Sequence, residues 1–261
     1  MEENAKNELA KGVAQIGNKT YDDALHPALQ SVGGTLGNIV DFLGIATMPL
    51  KYWSEKVRLN FAHRLEQYKE KLDAVPEEKK CEVPPEIGIP TLQALPYTTN
   101  DDVADLFTNL LTNASNIDMV QYAHPSFTEM IKRLSPDEAR IVNYLKGRED
   151  VCYSNIKGHL KSGKGFNTLF SHITLITDEV ELTYPGNENA YMSNLLGMGI
   201  IFDQDSLYKI DQTDYDKIKV KIGFEGLQQQ LVPNAFESLT QDNHFYQVTD
   251  FGKLFINACV K

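Results

Sequence analysis

Residues 84–134 read PPEIGIPTLQALPYTTNDDVADLFTNLLTNASNIDMVQYAHPSFTEMIKRL, and this stretch decides the fold class. Its centre predicts one well-capped helix. Asn100 is a good N-cap, because its side-chain oxygen can accept from an amide of the first turn. Asp101, Asp102 and Asp105 place negative charge where the helix dipole is positive. Val103, Leu106, Phe107, Leu110 and Leu111 fall on one face at helical spacing. Upstream, Pro90 and Pro96 break the chain into a short helix or turn with Leu92 and Leu95 buried. Downstream, Pro125 fits the first turn of a second helix opening at His124-Pro125, whose apolar face is Phe127, Met130, Ile131 and Leu134.

Outward from this centre, Ser135-Pro136-Asp137-Glu138 spells a capping box, with Ser at the N-cap, Pro at N1 and Glu at N3. The helix it starts carries Ile141, Val142 and Leu145, and Gly147 stops it. Residues 73–86 are charged and Pro-rich, a linker or an extended strap. Before them, Val57, Phe61, Leu65, Tyr68 and Leu72 form a stripe along a helix. Six Lys/Arg and three Glu between 51 and 71 make that helix locally basic.

From His26 to Leu50 only Asp41 is charged. Leu25, Leu29, Val32, Leu36, Ile39 and Leu43 recur at spacings of three and four, and Gly33 and Gly37 permit close helix–helix approach. A Gly-rich apolar helix needs a partner surface or a bilayer. The run is long enough to span one, and Lys51, Tyr52 and Trp53 are interfacial residue types. Asp41, Asn38, Thr35 and Ser31 weigh the other way, toward a buried packing helix or reversible membrane contact. Leu29, Leu36, Ile39, Leu43 and Trp53 are therefore candidate membrane or partner contacts, and Gly33 and Gly37 a candidate seam between copies.

The C-terminal third has mixed texture. Residues 166–176 read as a buried helix or strand, 189–198 as a helix, and 244–248 as a strand, with Thr249 capping a last helix. A helix running into L-G-x-G-I-I, a strand pair and a closing helix follow a winged-helix layout, with a long wing insertion over 203–243. The expected architecture is mainly α with a smaller α+β part: an N-terminal helical region (1–72), a helical middle (73–134) and a winged-helix-like domain (135–261).

Composition bounds the chemistry. A net charge of −11 argues against nucleic acid as the partner, since phosphate neutralisation needs a basic surface. Cys81, Cys152 and Cys259 are far apart, which fits a reducing compartment, and no Cys/His cluster suggests a metal. The polar, acidic start has no signal-peptide character, so a cytoplasmic protein, peripheral at the inner membrane if the apolar run engages it, is expected.

Gly158-His-Leu-Lys-Ser-Gly-Lys164-Gly165 nearly spells a phosphate loop, but Gly165 stands where Ser/Thr should hold Mg²⁺, and no convincing hydrophobic strand precedes it. His63, His124, His159, His172 and His244 are isolated in sequence, with no nucleophile or carboxylate at a recognised spacing. Asp22/Asp23 and Asp101/Asp102 read as helix starts rather than acid/base dyads. No enzyme, cofactor or metal is predicted.

The order I-G-x-P-x-L-x-A-L-x-Y-T (87–98), D-L-F-x-N-L-L (105–111), H-P-S-F (124–127) and L-S-P-D-E-A (134–139) resembles the abortive-infection alpha (Abi-alpha) family of bacteria. T-D-F-G-K-x-F-I-x-A-C (249–259) and the early D-x-x-L-x-P are similar to it too. Leu106, Phe107, Leu110, His124, Pro125 and Phe127 carry the resemblance as structural residues. It implies a phage-defence role and supplies no catalytic set. The expected partner is a phage or host protein, with a membrane surface or a second copy as further contacts. A winged-helix DNA-binding regulator and an oligomeric scaffold are the alternatives.

Overall fold

The computed structural model describes residues 32, 34–36, 54–232 and 234–261. The chain divides into two compact units, residues 1–139 with 257–261, and residues 140–256. The fold is mainly α with a smaller α+β part.

The first unit is helical. Helix α1 (Glu55–Asp73) starts at Ser54, whose hydroxyl accepts from Val57 N. Phe61, Leu65, Tyr68 and Leu72 are buried, as the stripe predicts, but so is Arg64. The strap that follows makes a 3₁₀ turn at Glu77–Lys79, then runs extended and is pinned: Lys80 bridges Asn116, Cys81 N donates to Ser115 O, and Ile117 N donates to Lys79 O. Helix α2 (Pro85–Ala94) contains Pro90 in its interior, so Pro90 does not break it. Proline removes one N–H but its fixed φ is helical, and buried Ile87 and Leu92 hold the segment to the core. Helix α3 (Asp101–Ala114) is capped by Asn100, which accepts from Val103 N at 3.1 Å. Val103, Leu106, Phe107, Leu110 and Leu111 are all buried.

Helix α4 (Phe127–Lys132) begins two residues later than the Pro125 rule predicts. The His124 imidazole accepts from Ser126 N at 3.2 Å, so the chain turns there before the helix opens. Helix α5 (Pro136–Tyr144) has the capping box as read. Glu138 Oε2 accepts from Ser135 N at 2.6 Å, and Ser135 Oγ accepts from Glu138 N at 3.3 Å. Gly147, at φ +73°, lies just beyond it.

The described part of the apolar N-terminal run packs in this unit. Val32 and Leu36 are fully buried, and the Thr35 hydroxyl bonds Tyr68 Oη at 2.9 Å. Thr35 O accepts from Val83 N. Leu29, Gly33, Gly37, Ile39, Leu43 and Trp53 lie outside the described residues.

The second unit is built on an antiparallel sheet of order β2-β1-β4-β3. Its strands are β1 (Asp150–Leu160), β2 (Phe166–Ile173), β3 (Ile201–Gln204) and β4 (Phe236–Val248). β1 and β4 pair along their length, with Tyr153 opposite His244 and Val151 opposite Tyr246. The β3–β4 pair is the one the sequence outlines, but β1 and β2 form a long hairpin it does not. Residues 166–173 are a strand, though mostly exposed rather than buried. The near phosphate loop sits at the hairpin turn, where a strand does precede it and another strand, not a helix, follows. Between β2 and β3 lie α6 (Ile176–Glu179) and α7 (Glu188–Gly197).

The insertion between β3 and β4 is shorter than the 203–243 expected, since 203–204 and 236–243 are strand, and it contains α8 (Thr213–Lys221) and α9 (Phe224–Leu231), which cover one face of the sheet. Ile156, Leu239, Phe224 and Phe236 form one cluster there, and Cys152, Tyr215 and Ile218 another. Helix α10 (Asp250–Cys259) is capped by Thr249, whose Oγ1 accepts from Gly252 N at 2.8 Å and donates to Gly199 O. A Cβ on Gly252 would lie 2.0 Å from Ile200 O, so only glycine allows this approach.

Candidate functional site

At the Leu95–Tyr97 3₁₀ turn and the Thr98–Thr99 link a row of carbonyl oxygens faces helix α1, of which Leu95 O already accepts from Thr98 N. Side chains of helix α1 donate to this row. Asn60 Nδ2 reaches Leu95 O, Pro96 O and Thr98 O at 3.3, 2.9 and 3.1 Å. Arg64 Nε and Nη2 donate to Thr98 O and Thr99 O, and its Nη1 donates to Gln67 and to Asp101 at 2.7 Å. Arg64 is one of the six cations that make this helix locally basic, but it is 2% exposed. Lys71 is also drawn inward, donating to Asp105 and Thr108, and burial lowers its pKa against the opposing pull of Asp105.

This held turn forms one wall of a cleft of about 470 Å³. Val103 and Phe107 from α3, Ile131 from α4, and Leu134 supply apolar lining. Gln93, Asn100 and Lys132 supply polar groups. Tyr97 lines it too and is 64% exposed. Among the described lining residues only Tyr97 and Lys132 carry titratable groups, and Lys132 pairs with Glu129. Such a volume with a mainly apolar lining suits a small ligand or a few side chains.

Of the residues carrying the family resemblance, Leu106, Leu110 and Phe127 are core, and Phe107 is both core and cleft wall. His124 and Pro125 are exposed. The His124 ring lies 5.6 Å from that of Phe127, and His124 O accepts from Phe127 N. Its role is to start α4. Leu36, a candidate membrane or partner contact, is buried within the helical unit.

A second cluster forms on the sheet. His172 and His244, isolated in sequence, meet on opposite sides of Tyr153, at ring distances of 4.7 and 5.3 Å. Tyr246 stacks on Tyr153 at 4.6 Å and its hydroxyl bonds His172 Nδ1 at 2.6 Å. Tyr153 donates to Asp203 at 2.6 Å. Burial, then the Asp203 bond, pushes the Tyr153 phenol up, and burial does the same to Tyr246, so both stay protonated. Asp242 accepts from Lys157 and lies 3.0 Å from His244 Nε2. His244 Nδ1 is buried without a hydrogen bond. His172 is at φ +54°, where its backbone N donates to Asn155 Oδ1. The His244–Tyr246 alternation and the pairing with Tyr153 are period-two signals, visible once β1 is recognised as a strand. Tyr153 and Tyr246 are 1% and 2% exposed, so the cluster is packed rather than open.

Among the described residues no group of three or more His, Cys, Asp or Glu side chains is placed to hold a metal. No helix of the described residues is long and apolar enough to cross a membrane. All three cysteines are free thiols, and burial raises the pKa of each.

The sequence model of the family described as Abortive infection alpha matches residues 56–259, and the chain belongs to that family. No curated protein matches the chain. Among solved structures, an uncharacterized protein from the hydrocarbon-degrading marine bacterium Alcanivorax borkumensis SK2 is similar over 54% of this chain and 94% of its own. The identity is 14% and the TM-score 0.33.

Proposed function

We propose that this member of the abortive infection alpha family performs its abortive-infection role by binding rather than by chemistry of its own, with the cleft beside Tyr97 taking a segment of a phage or host protein. The observation that carries this is the cleft's construction. The turn bearing Tyr97 is fixed by six hydrogen-bond contacts from Asn60 and Arg64 to chain carbonyls and Asp101, yet Tyr97 itself projects outward. A rigid aromatic group beside an apolar cleft is the usual anchor of a protein interface. The 26–50 stretch then engages a membrane surface or an oligomer partner during the response.

A phage challenge tests the binding clause. Cells expressing Tyr97→Ala are expected to plaque like cells without the gene, while the variant accumulates and melts like the wild type. Full protection by a folded Tyr97→Ala protein overturns it. Fractionation and liposome dye release test the membrane clause: protein that stays soluble with and without infection and releases no dye sinks it.

A winged-helix DNA-binding reading draws on the β3–β4 pair that follows α7. Helix α7 carries no Lys or Arg, which base and phosphate contacts need. A gel shift at moderate salt with the gene's own promoter region decides it, and no shift removes the reading.

A further inference from the structure

Two exposed surfaces of the sheet unit have opposite character. The first is the loop after β3, where Leu207, Tyr208 and Ile210 are 55%, 68% and 96% exposed. Three large apolar side chains in one loop are a concentration that soluble surfaces rarely leave uncovered. The loop is also held in place. Between them, Lys209 turns inward, and its Nζ lies 2.7 and 2.6 Å from the two Asp150 carboxylate oxygens. Its backbone N donates to Tyr215 Oη and its O accepts from Gln212. Anchoring Lys209 fixes its neighbours outward, so little ordering entropy is left to lose on binding. With Lys209 neutralised by Asp150, the flanking Asp205 and Asp211 leave the loop acidic.

The second is the tip of the β1–β2 hairpin. From Ile156 to Ile173 there is no acidic residue, in a chain of net charge −11. Lys161 and Lys164 are exposed, and Phe166 and Phe170 are 49% and 44% exposed beside them. An apolar, acidic loop and an aromatic, basic tip are complementary in both respects. They cannot meet within one copy. Asp150 begins β1 and Leu160 ends it, and at about 3.3 Å per residue the strand holds the two surfaces roughly 30 Å apart.

We propose that the sheet unit self-associates head to tail, the 205–211 loop of one copy seating on the β1–β2 hairpin tip of a second. Because the two surfaces differ, a contacting pair still has one loop and one tip free, and the contact extends into a ring or filament.

Light scattering on the full chain tests it. The wild-type mass should rise with protein concentration and fall with salt, which screens the charged part of the contact. Ile210→Asp and Lys164→Glu, both at exposed positions, should each scatter as the 29.4 kDa monomer under the same conditions, with unchanged thermal melts. Mixed together they should form a particle of twice that mass and no larger, since each supplies the surface the other lacks. Tyr208→Asp gives a second loop variant should Ile210→Asp melt early. A wild type that stays monomeric throughout, an association that survives either variant, or a mixture that stays monomeric overturns the proposal.

Discussion

Arg64 Nη1 lies 2.7 Å from Asp101 Oδ1, although the Arg64 side chain is 2% exposed and the Asp101 side chain 83% exposed. The pair therefore has two unequal halves. An exposed carboxylate is solvated and contributes under about 1 kcal/mol. The guanidinium matters mainly through the Thr98 and Thr99 carbonyls it satisfies, and losing these two charge-assisted, part-buried hydrogen bonds costs about 2–4 kcal/mol in all. Arg64→Met should be destabilised by that amount in denaturant unfolding, and Asp101→Asn by under about 1 kcal/mol. Equal losses would show that the ion pair, not the turn, is what Arg64 holds.

The Ser135–Glu138 box makes a reciprocal prediction. Each side chain accepts from the other's backbone N–H. Ser135→Ala should cost about 1 kcal/mol. In a double-mutant cycle with Glu138→Ala the two losses should sum to more than the double variant's, because the geometry of one bond supports the other. Strict additivity would mean two independent caps.

Gly252→Ala should be the most damaging small substitution in the sheet unit. The new methyl would meet the Ile200 carbonyl at 2.0 Å, backbone against backbone, and no rotamer can relieve it. A loss of at least about 2 kcal/mol is expected, seen as a lowered melting temperature. A Gly226→Ala control, with nothing within 4 Å of the added Cβ, should be tolerated. Equal melting of the two variants would contradict the close approach.

Glu188 supplies a pH test. Burial raises its carboxyl pKa above the ordinary 4.5, with the Thr174 hydrogen bond and then Lys221 opposing. The folded state therefore holds this proton more tightly than the unfolded state does. Its contribution to stability is fully present below pH 4.5 and is lost as pH rises through the raised folded value. Glu188→Gln keeps the oxygen that accepts from Thr174 but does not titrate. The wild type should lose stability relative to Glu188→Gln as pH rises through that window. A pH-independent difference would show that the carboxyl is not the group responsible.

The sequence made the helical unit legible residue by residue. The caps at Asn100 and Ser135 and the face of α3, like the Thr249 cap in the sheet unit, follow from local rules, and local rules govern single helices. What stayed hidden is non-local. Arg64 reads as a surface cation in any stripe analysis, since only the carbonyl row of residues 95–99 gives it a buried task. Pro90 reads as a breaker because the pattern does not register how strongly Ile87 and Leu92 are held. β1 escaped because Asp150–Leu160 alternates only weakly, its Gly158 and Ser154 diluting the period. Without β1, His172 and His244 stay isolated and the hairpin resembles a loop.

Asn109 donates to Cys259 O at 2.9 Å, and Asn113 donates to Ala258 O at 2.8 Å. These bonds join α3 to residues that belong with the helical unit but follow the whole sheet unit in the chain. On a translating ribosome, α3 therefore emerges long before the segment that completes its surroundings. At about 5–20 residues per second, residues 140–256 delay that closure by roughly ten seconds. Nascent chains hold an unfinished helical unit through that interval, with Asn109 and Asn113 waiting for these two carbonyl partners until synthesis of the sheet is over.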